Sequence, residues 1–332
     1  KVNVSVTKAW VGPKKASAKV VLKKDGDSAV IEEKVLNEAG SWRATFTPQP
    51  KYEDNGTEIK YTVEEKDVPQ GYTAALSGTM VNGFTITNTN NEKINVCVPT
   101  GNFGNILAAY IAKQMGLPVN KLICASNENK VLFDFFENGV YDRNRKFILT
   151  SSPSMDILIS SNLERLIYLS CGGDGEYVKK LMQELAKGGK YTVTPAMKDF
   201  MKDFVGGYAD EKKNFAGIKS LYDSTGYIID THTGVAYSVY QDYKNATKDM
   251  TATVIASTAS PYKFADSVLE AILGEKQKMG DFEVIDKLHE MGAPDIPRAI
   301  LEIKDAPVRH TRECDSADMQ KEVEDILFNN RR

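Results

Sequence analysis

The chain has 332 residues, enough for two or three domains each with its own core, and a formal net charge of −3 at pH 7. That balance, with no basic stripe interleaved with aromatics, argues against a nucleic-acid partner. The apolar runs are too short to span a bilayer and the first residues carry no leader pattern, although a chain beginning at Lys1 is also what removal of a leader would leave. Composition changes near residue 90. Trp10 and Trp42 precede that point; Cys97, Cys124, Cys171, Cys314, His232, His289 and His310 all follow it. Cys97 and Cys124 lie in apolar contexts that read as buried free thiols of a reduced compartment. The shift reads as a join between two sequences of different origin.

Residues 1–90 read as an all-β unit. Positions 2–10 alternate with period two, 18–22 follow, and Lys24-Asp25-Gly26-Asp27 marks a turn. Further strands are expected at 29–35, 42–46, 58–64 and 79–87, with a turn at Pro69-Gln70-Gly71-Tyr72. Short strands at this spacing favour a small β-sandwich.

The pieces VTKAW, GSWRATFT, KYEDNGTEIKYTVEE, VPQGYT and GFTITNT make this unit resemble the B-type (Cna) repeat of Gram-positive collagen adhesins and pilins. The resemblance implies a spontaneous amide between a first-strand lysine and a last-strand asparagine, here Lys8 and Asn88, with Glu64 as the acid between them. The chemistry needs those types together. Burial favours the neutral, nucleophilic amine, and a buried glutamate that keeps its proton can polarise the asparagine carbonyl. A tie closing a loop of about eighty residues would contribute roughly 4–5 kcal/mol. The plain alternative is an unreacted surface lysine and end-strand asparagine. Glu65 is the other candidate acid, and strand alternation places it on the opposite face from Glu64.

Residues 91–93 are the only connector, without a Gly/Ser or Pro-rich linker. So short a joint implies a tight domain contact or a fusion. The run 94–98 reads as a short buried strand and 106–113 as a helix. Between them lies Pro99-Thr100-Gly101-Asn102-Phe103-Gly104-Asn105. A glycine-bearing turn from strand to helix leaves backbone N–H groups free to receive a phosphate or sulfate, and Gly101 and Gly104 permit close approach. An ordinary tight turn would look the same. A strand is expected at 121–125, with short elements at 132–136 and 141–142. Much of 151–169 should be helix, as should 177–187, 195–204 (capped by Thr194 with Pro195 first) and 214–225, ended by Gly226. Helix 232–243, strand 251–256 and helices 261–273 and 318–328 complete an α/β layered domain.

From about Glu92 onward, PTGNFGNILAAYIAKQMGLP, LICASN, SSNLERL, DTHTGVAY and ASTASPYKF occur in the order that resembles the C-terminal part of threonine synthase. The resemblance implies a partial pyridoxal 5′-phosphate (PLP) fold of type II. Gly101, Asn102, Phe103, Gly104 and Asn105 would form the phosphate cup, and Thr258 or Ser257 would meet the pyridine nitrogen. Ser260, Lys263 and His232 would line or support that site. The family's cofactor lysine precedes the cup in a Phe-Lys-Asp context, followed by Ser-Gly-Asp-Thr-Gly. Neither pattern occurs in these residues, and Lys8 belongs to the other resemblance. PLP is therefore expected non-covalently or not at all.

The division expected is 1–90 and 91–332, and three readings follow from it. One is a fusion whose enzyme-like part holds phosphate but makes no threonine. Another is an adhesin or pilin structural module with a passenger. The third is an active threonine synthase, converting O-phospho-L-homoserine to threonine and phosphate with help from a second chain. His310 and Cys314 alone make a weak metal pair. Residues 1–90 suggest the cell surface, and 92–332 the cytoplasm. Strands without their upstream neighbours are expected to self-associate through a face around Val96, Ile123 and Val254.

Overall fold

The computed structural model describes residues 1–309 and 311–329. The first ninety residues form two sheets facing each other. Strands β1 (Ser5–Val11), β4 (Arg43–Thr45), β6 (Tyr72–Thr79) and β7 (Gly83–Asn90) make one, in the order β4-β1-β7-β6. Strands β2 (Ser17–Lys24), β3 (Val30–Asn37) and β5 (Tyr61–Lys66) make the other, in the order β3-β2-β5. Alternation along β1, β2, β5 and β7 sends Val6, Val20, Leu22, Tyr61, Val63, Phe84 and Ile86 into one core. The first and last strands lie side by side and parallel, with Lys8 opposite Ile86 and Trp10 opposite Asn88. Strand β6 was not expected. Both its faces are largely exposed, so its sequence carries no alternation to read.

The remainder is a layered α/β unit. Parallel strands β8 (Ile94–Pro99), β9 (Val119–Ser126), β12 (Phe204–Tyr208) and β13 (Thr253–Ile255) run in the order β12-β9-β8-β13, and β10 (Val140–Asp142) pairs with β11 (Lys190–Thr192). The helices are α1 (Gly104–Gln114), α2 (Val131–Asn138), α3 (Leu163–Ser170), α4 (Gly175–Gly188), α5 (Pro195–Phe200), α6 (Glu211–Thr225), α7 (Thr231–Thr247), α8 (Ala265–Leu273), α9 (Asp281–Glu290), α10 (Arg298–Lys304) and α11 (Met319–Glu324). Successive residues of β8 and β9 face opposite layers. Val98, Leu122 and Cys124 join α1 to α5 on one side, while Cys97, Ile123 and Ala125 meet Val235 and Val239 of α7 on the other. A third cluster ties α6, α8 and α9 together.

Three expectations change. The span 151–169 is helical only at the turn Pro153–Met155 and in α3. Its middle is loop because the Asp156 carboxylate accepts from the Thr150 backbone N–H and from the Asn127 and Asn129 amides. The stretch after α5 turns into strand β12, hidden in the sequence by Gly206-Gly207. The face around Val96, Ile123 and Val254 does not exist as an apolar patch. Ile123 is fully buried under α7 and Val96 packs on the α1 layer, so only Val254, on edge strand β13, is exposed. No helix among the described residues is long and apolar enough to cross a membrane.

Candidate functional site

In the β-unit, β5 turns Tyr61, Val63 and Glu65 inward, and Glu64 outward onto Lys23. Glu65, not Glu64, therefore stands between the two strand residues. The phase was legible, since Tyr61 and Val63 are the apolar members of the strand and Glu65 shares their face. Lys8 is 3% exposed, Glu65 7% and Asn88 0%. Lys8 Nζ lies 3.3 Å from Glu65 Oε2 and donates to the carbonyls of Ala9 and Ile86. Asn88 Nδ2 donates to Glu65 Oε1 at 2.9 Å. The amine sits 4.4 Å from the centre of the Trp10 ring, which packs edge-on against Trp42 and Tyr72. Burial lowers the Lys8 ammonium below its ordinary value, despite the opposing pull of Glu65. Asn88 Oδ1 and the indole nitrogens of Trp10 and Trp42 are buried without a hydrogen-bond partner among the described residues, and Glu65 Oε2 has only the Lys8 ammonium beside it. Such a concentration of unmet polar atoms costs stability in the unreacted state.

The second site is the turn from β8 into α1. Phe103 caps the helix with a left-handed backbone, φ 62°, which a bulky residue adopts only when its surroundings impose it. Its ring supplies the constraint, being buried and packed on Phe136 and Phe204. From beneath, Ser160 Oγ donates to the Gly101 carbonyl, and the Asn162 backbone and side chain donate to the Asn102 carbonyl. These supporting residues were not singled out from the sequence; SSNLERL carried the signal. Gly101 is needed for a close approach, since a Cβ there would lie 2.7 Å from the Ser154 carbonyl oxygen. With those carbonyls occupied, no side chain capping α1 and no acidic residue in its first turn, the helix's leading N–H groups face outward.

The structure brings Gly101, Asn102, Phe103, Gly104 and Asn105 together with Thr258 and His232 around one cleft of about 260 Å³. His232 Nε2 accepts from the Ser154 N–H at 3.2 Å, while Nδ1 lies 3.0 Å from the buried Asp230 carboxylate. That arrangement requires the Nδ1–H tautomer. Burial pushes the Asp230 carboxyl up, but hydrogen bonds from His232 and Thr233 outweigh it and hold it below its ordinary value. Ser257 receives a hydrogen bond from Thr233, and Ser260 caps the turn Pro261–Phe264. Lys263 lines a neighbouring cleft with Tyr262 and Asp266 instead.

The donor set fits a phosphate group. It does not fit a Schiff-base cofactor, because no lysine lines the cleft among the described residues. His310 lies outside the described residues, and no group of three metal-ligating side chains occurs within them. Burial drives the Cys97 thiol far up and the Cys124 thiol up to about 12, so both are inert.

Residues 4–89 match the model of the Cna protein B-type domain, and residues 233–324 match that of the threonine synthase C-terminal region. The chain is 41% identical over 209 residues to a threonine synthase-like 1 protein of Macaca fascicularis, covering 59% of this chain and 28% of that one. A PLP-bound threonine synthase of Brucella melitensis superposes with a TM-score of 0.52 at 36% identity, covering 61% of this chain and 42% of that one. The yeast enzyme gives 0.59 at 32% identity, covering 71% and 48%. The chain thus spans less than half the length of each of these relatives. Its layout is chimeric, a Cna B-type region followed by a threonine synthase-like region.

Proposed function

We propose that residues 1–90 cross-link themselves through a Lys8–Asn88 amide, and that the threonine synthase-like region holds a phosphorylated ligand without acting on it. The observation that carries the first part is Glu65 in contact with both partners inside a buried, aromatic-walled site. Passing one proton turns the Lys8–Glu65 ion pair into a neutral pair and frees the amine's lone pair. Nζ then attacks Cγ of Asn88. The attacking nitrogen loses a proton through Glu65 and the leaving amide nitrogen gains one from it, so ammonia departs as the C–N bond forms. A buried amine and a buried amide whose Oδ1 is unmet become one amide. Intact mass tests this. The expected value is the sequence mass less one ammonia, and an unmodified mass overturns the reading.

The second part rests on the cleft at the N-terminus of α1. PLP, when bound, would supply an aldehyde and an electron-accepting ring. The described residues lining the cleft supply backbone donors for its phosphate and no lysine to bond the aldehyde. Absorbance and titration calorimetry with PLP and with inorganic phosphate decide it. Both ligands are expected to bind, with no band that borohydride fixes onto a lysine. A fixed band, or threonine formed from O-phospho-L-homoserine, would favour the active-enzyme reading instead.

A further inference from the structure

The site around Lys8, Glu65 and Asn88 leaves one reacting atom without a partner. Glu65 directs both its oxygens at nitrogen: Oε2 stands beside the Lys8 ammonium, and Oε1 accepts from Asn88 Nδ2. That arrangement serves the attacking and the leaving nitrogen. Asn88 Oδ1 is left buried with no donor among the described residues. Attack on Cγ drives the carbonyl electron pair onto that oxygen, and a buried oxyanion without a donor is costly. The same core holds two enclosed donors without an acceptor, the indole N–H groups of Trp10 and Trp42. Strand order separates them. Strand β7 pairs directly and in parallel with β1, and Trp10 is the β1 residue opposite Asn88. Residues paired in this way send neighbouring side chains to one face of the sheet. Trp42 immediately precedes β4, so β1 lies between it and Asn88. The Trp10 ring is also held in place. Its face meets the Lys8 amine at 4.4 Å from the ring centre, and Trp42 and Tyr72 pack against it edge-on. One ring thus touches the nucleophile and neighbours the carbonyl it attacks.

We propose that the Trp10 indole N–H is the oxyanion donor of the cross-linking reaction, and that its hydrogen bond persists to the carbonyl of the finished amide. The inference rests on the Lys8–Asn88 reaction proposed above, and it fills a role that Glu65 cannot take while it holds both nitrogens. As the Nζ–Cγ bond forms, the π pair of Cγ–Oδ1 moves onto Oδ1. Trp10 Nε1–H donates to that oxygen and keeps its proton. The pair returns as the Cγ–Nδ2 bond breaks, and ammonia leaves with the proton delivered through Glu65. Oδ1 ends as the amide oxygen. In the unreacted site donor and acceptor are neighbours without a hydrogen bond, and the contact tightens as Cγ becomes tetrahedral. Strand pairing and ring packing fix the donor before reaction begins, which is what gives such a dipole its effect in a dry site.

Replacing Trp10 in the full-length chain by 3-benzothienylalanine tests the donor alone, because the analogue keeps the ring's shape and carries sulfur in place of N–H. Protein made by cell-free synthesis is sampled over time by intact mass, which follows the loss of ammonia. The parent chain is expected to react, and the Trp10 replacement to react about a hundredfold more slowly, as for one lost oxyanion donor. The same replacement at Trp42 should react at the parental rate. Proton NMR adds a readout that packing alone would not move. The Trp10 indole proton, assigned by its loss in the Trp10 variant, should lie downfield in the cross-linked parent relative to Glu65→Ala. A parent chain of unreduced mass removes the reaction itself, and the donor with it. A reacting parent beside a Trp10 replacement that keeps pace, equal slowing by both indole replacements, or an unshifted indole proton overturns this inference alone and leaves the cross-link standing.

Discussion

A lysine ammonium and a carboxylate, both all but removed from water, stabilise a fold weakly, and the loss of one partner strands the other at a cost of about 3–5 kcal/mol. Lys8 and Glu65 are in that position, with the Asn88 amide against the same carboxylate. In the proposed cross-linking, Glu65 is the side chain that would decide whether they react. Glu65→Ala is expected to leave the mass at the uncorrected sequence value, by removing the group that carries protons between the two nitrogens. Glu64→Ala should leave the cross-link intact, because Glu64 points to solvent and holds only Lys23. Mass spectrometry of the two variants, each made beside the parent protein, separates the roles. If Glu64→Ala abolished the bond and Glu65→Ala did not, the assignment by strand face would be wrong.

At the scale of elements, the turn between β8 and α1 holds a strained backbone by burying a ring. Phe103→Ala should cost about 3–5 kcal/mol of the α/β unit's stability and weaken phosphate binding, since the ring holds the left-handed residue in place. Gly101→Ala acts differently. The added methyl must displace the backbone at Ser154, so ligand affinity should fall well before stability does. Calorimetric titration and urea unfolding of both variants distinguish strain from access. The start of α7 adds a pH dependence. The Asp230 carboxyl is held below its ordinary value when folded, so its contribution is fully present above the unfolded carboxylate pKa of about 3.9. That contribution is lost as pH falls through the lower folded value. Asp230→Asn should therefore flatten the loss of stability as pH falls below the unfolded carboxylate pKa of about 3.9, followed by urea midpoints across the acid range.

For the whole molecule, the core of the β-unit contains no residue beyond Ile86, and the other cores begin at Ile94 or later. Stability should therefore divide into two transitions. If the proposed cross-link forms, blocking it with Glu65→Ala should remove at least roughly 4–5 kcal/mol from the first unit alone, which for a domain of this size corresponds to a fall of roughly 20 °C or more. Scanning calorimetry is expected to show that fall in one transition while the other stays in place. A single transition that moves as a whole would show that the two units unfold together. The α/β unit, for its part, covers the faces of its central strands with its own helices. Among the described residues the strand faces are therefore not an exposed apolar surface; Val254, on edge strand β13, is exposed.

The sequence by itself determined the two-part layout, because alternation of period two before residue 90 and helical periodicity after it are local signals. The motifs that resemble the B-type repeat pointed to Lys8 and Asn88 on the first and last strands, and glycines between a β-branched run and a helix located the Gly101–Asn105 turn. Tertiary structure decided what alternation leaves ambiguous. The alternation of Tyr61 and Val63 already gives Glu65 the inward phase, but that this face meets the other sheet beside Lys8 and Asn88 is decided by packing between strands far apart in sequence. Strands β6 and β12 were illegible for a related reason. One is exposed on both faces and the other is built around two glycines, so only their neighbours make them strands. The covering of Ile123 by α7 was equally out of reach, because a strand's own residues do not state which helix returns to lie across it.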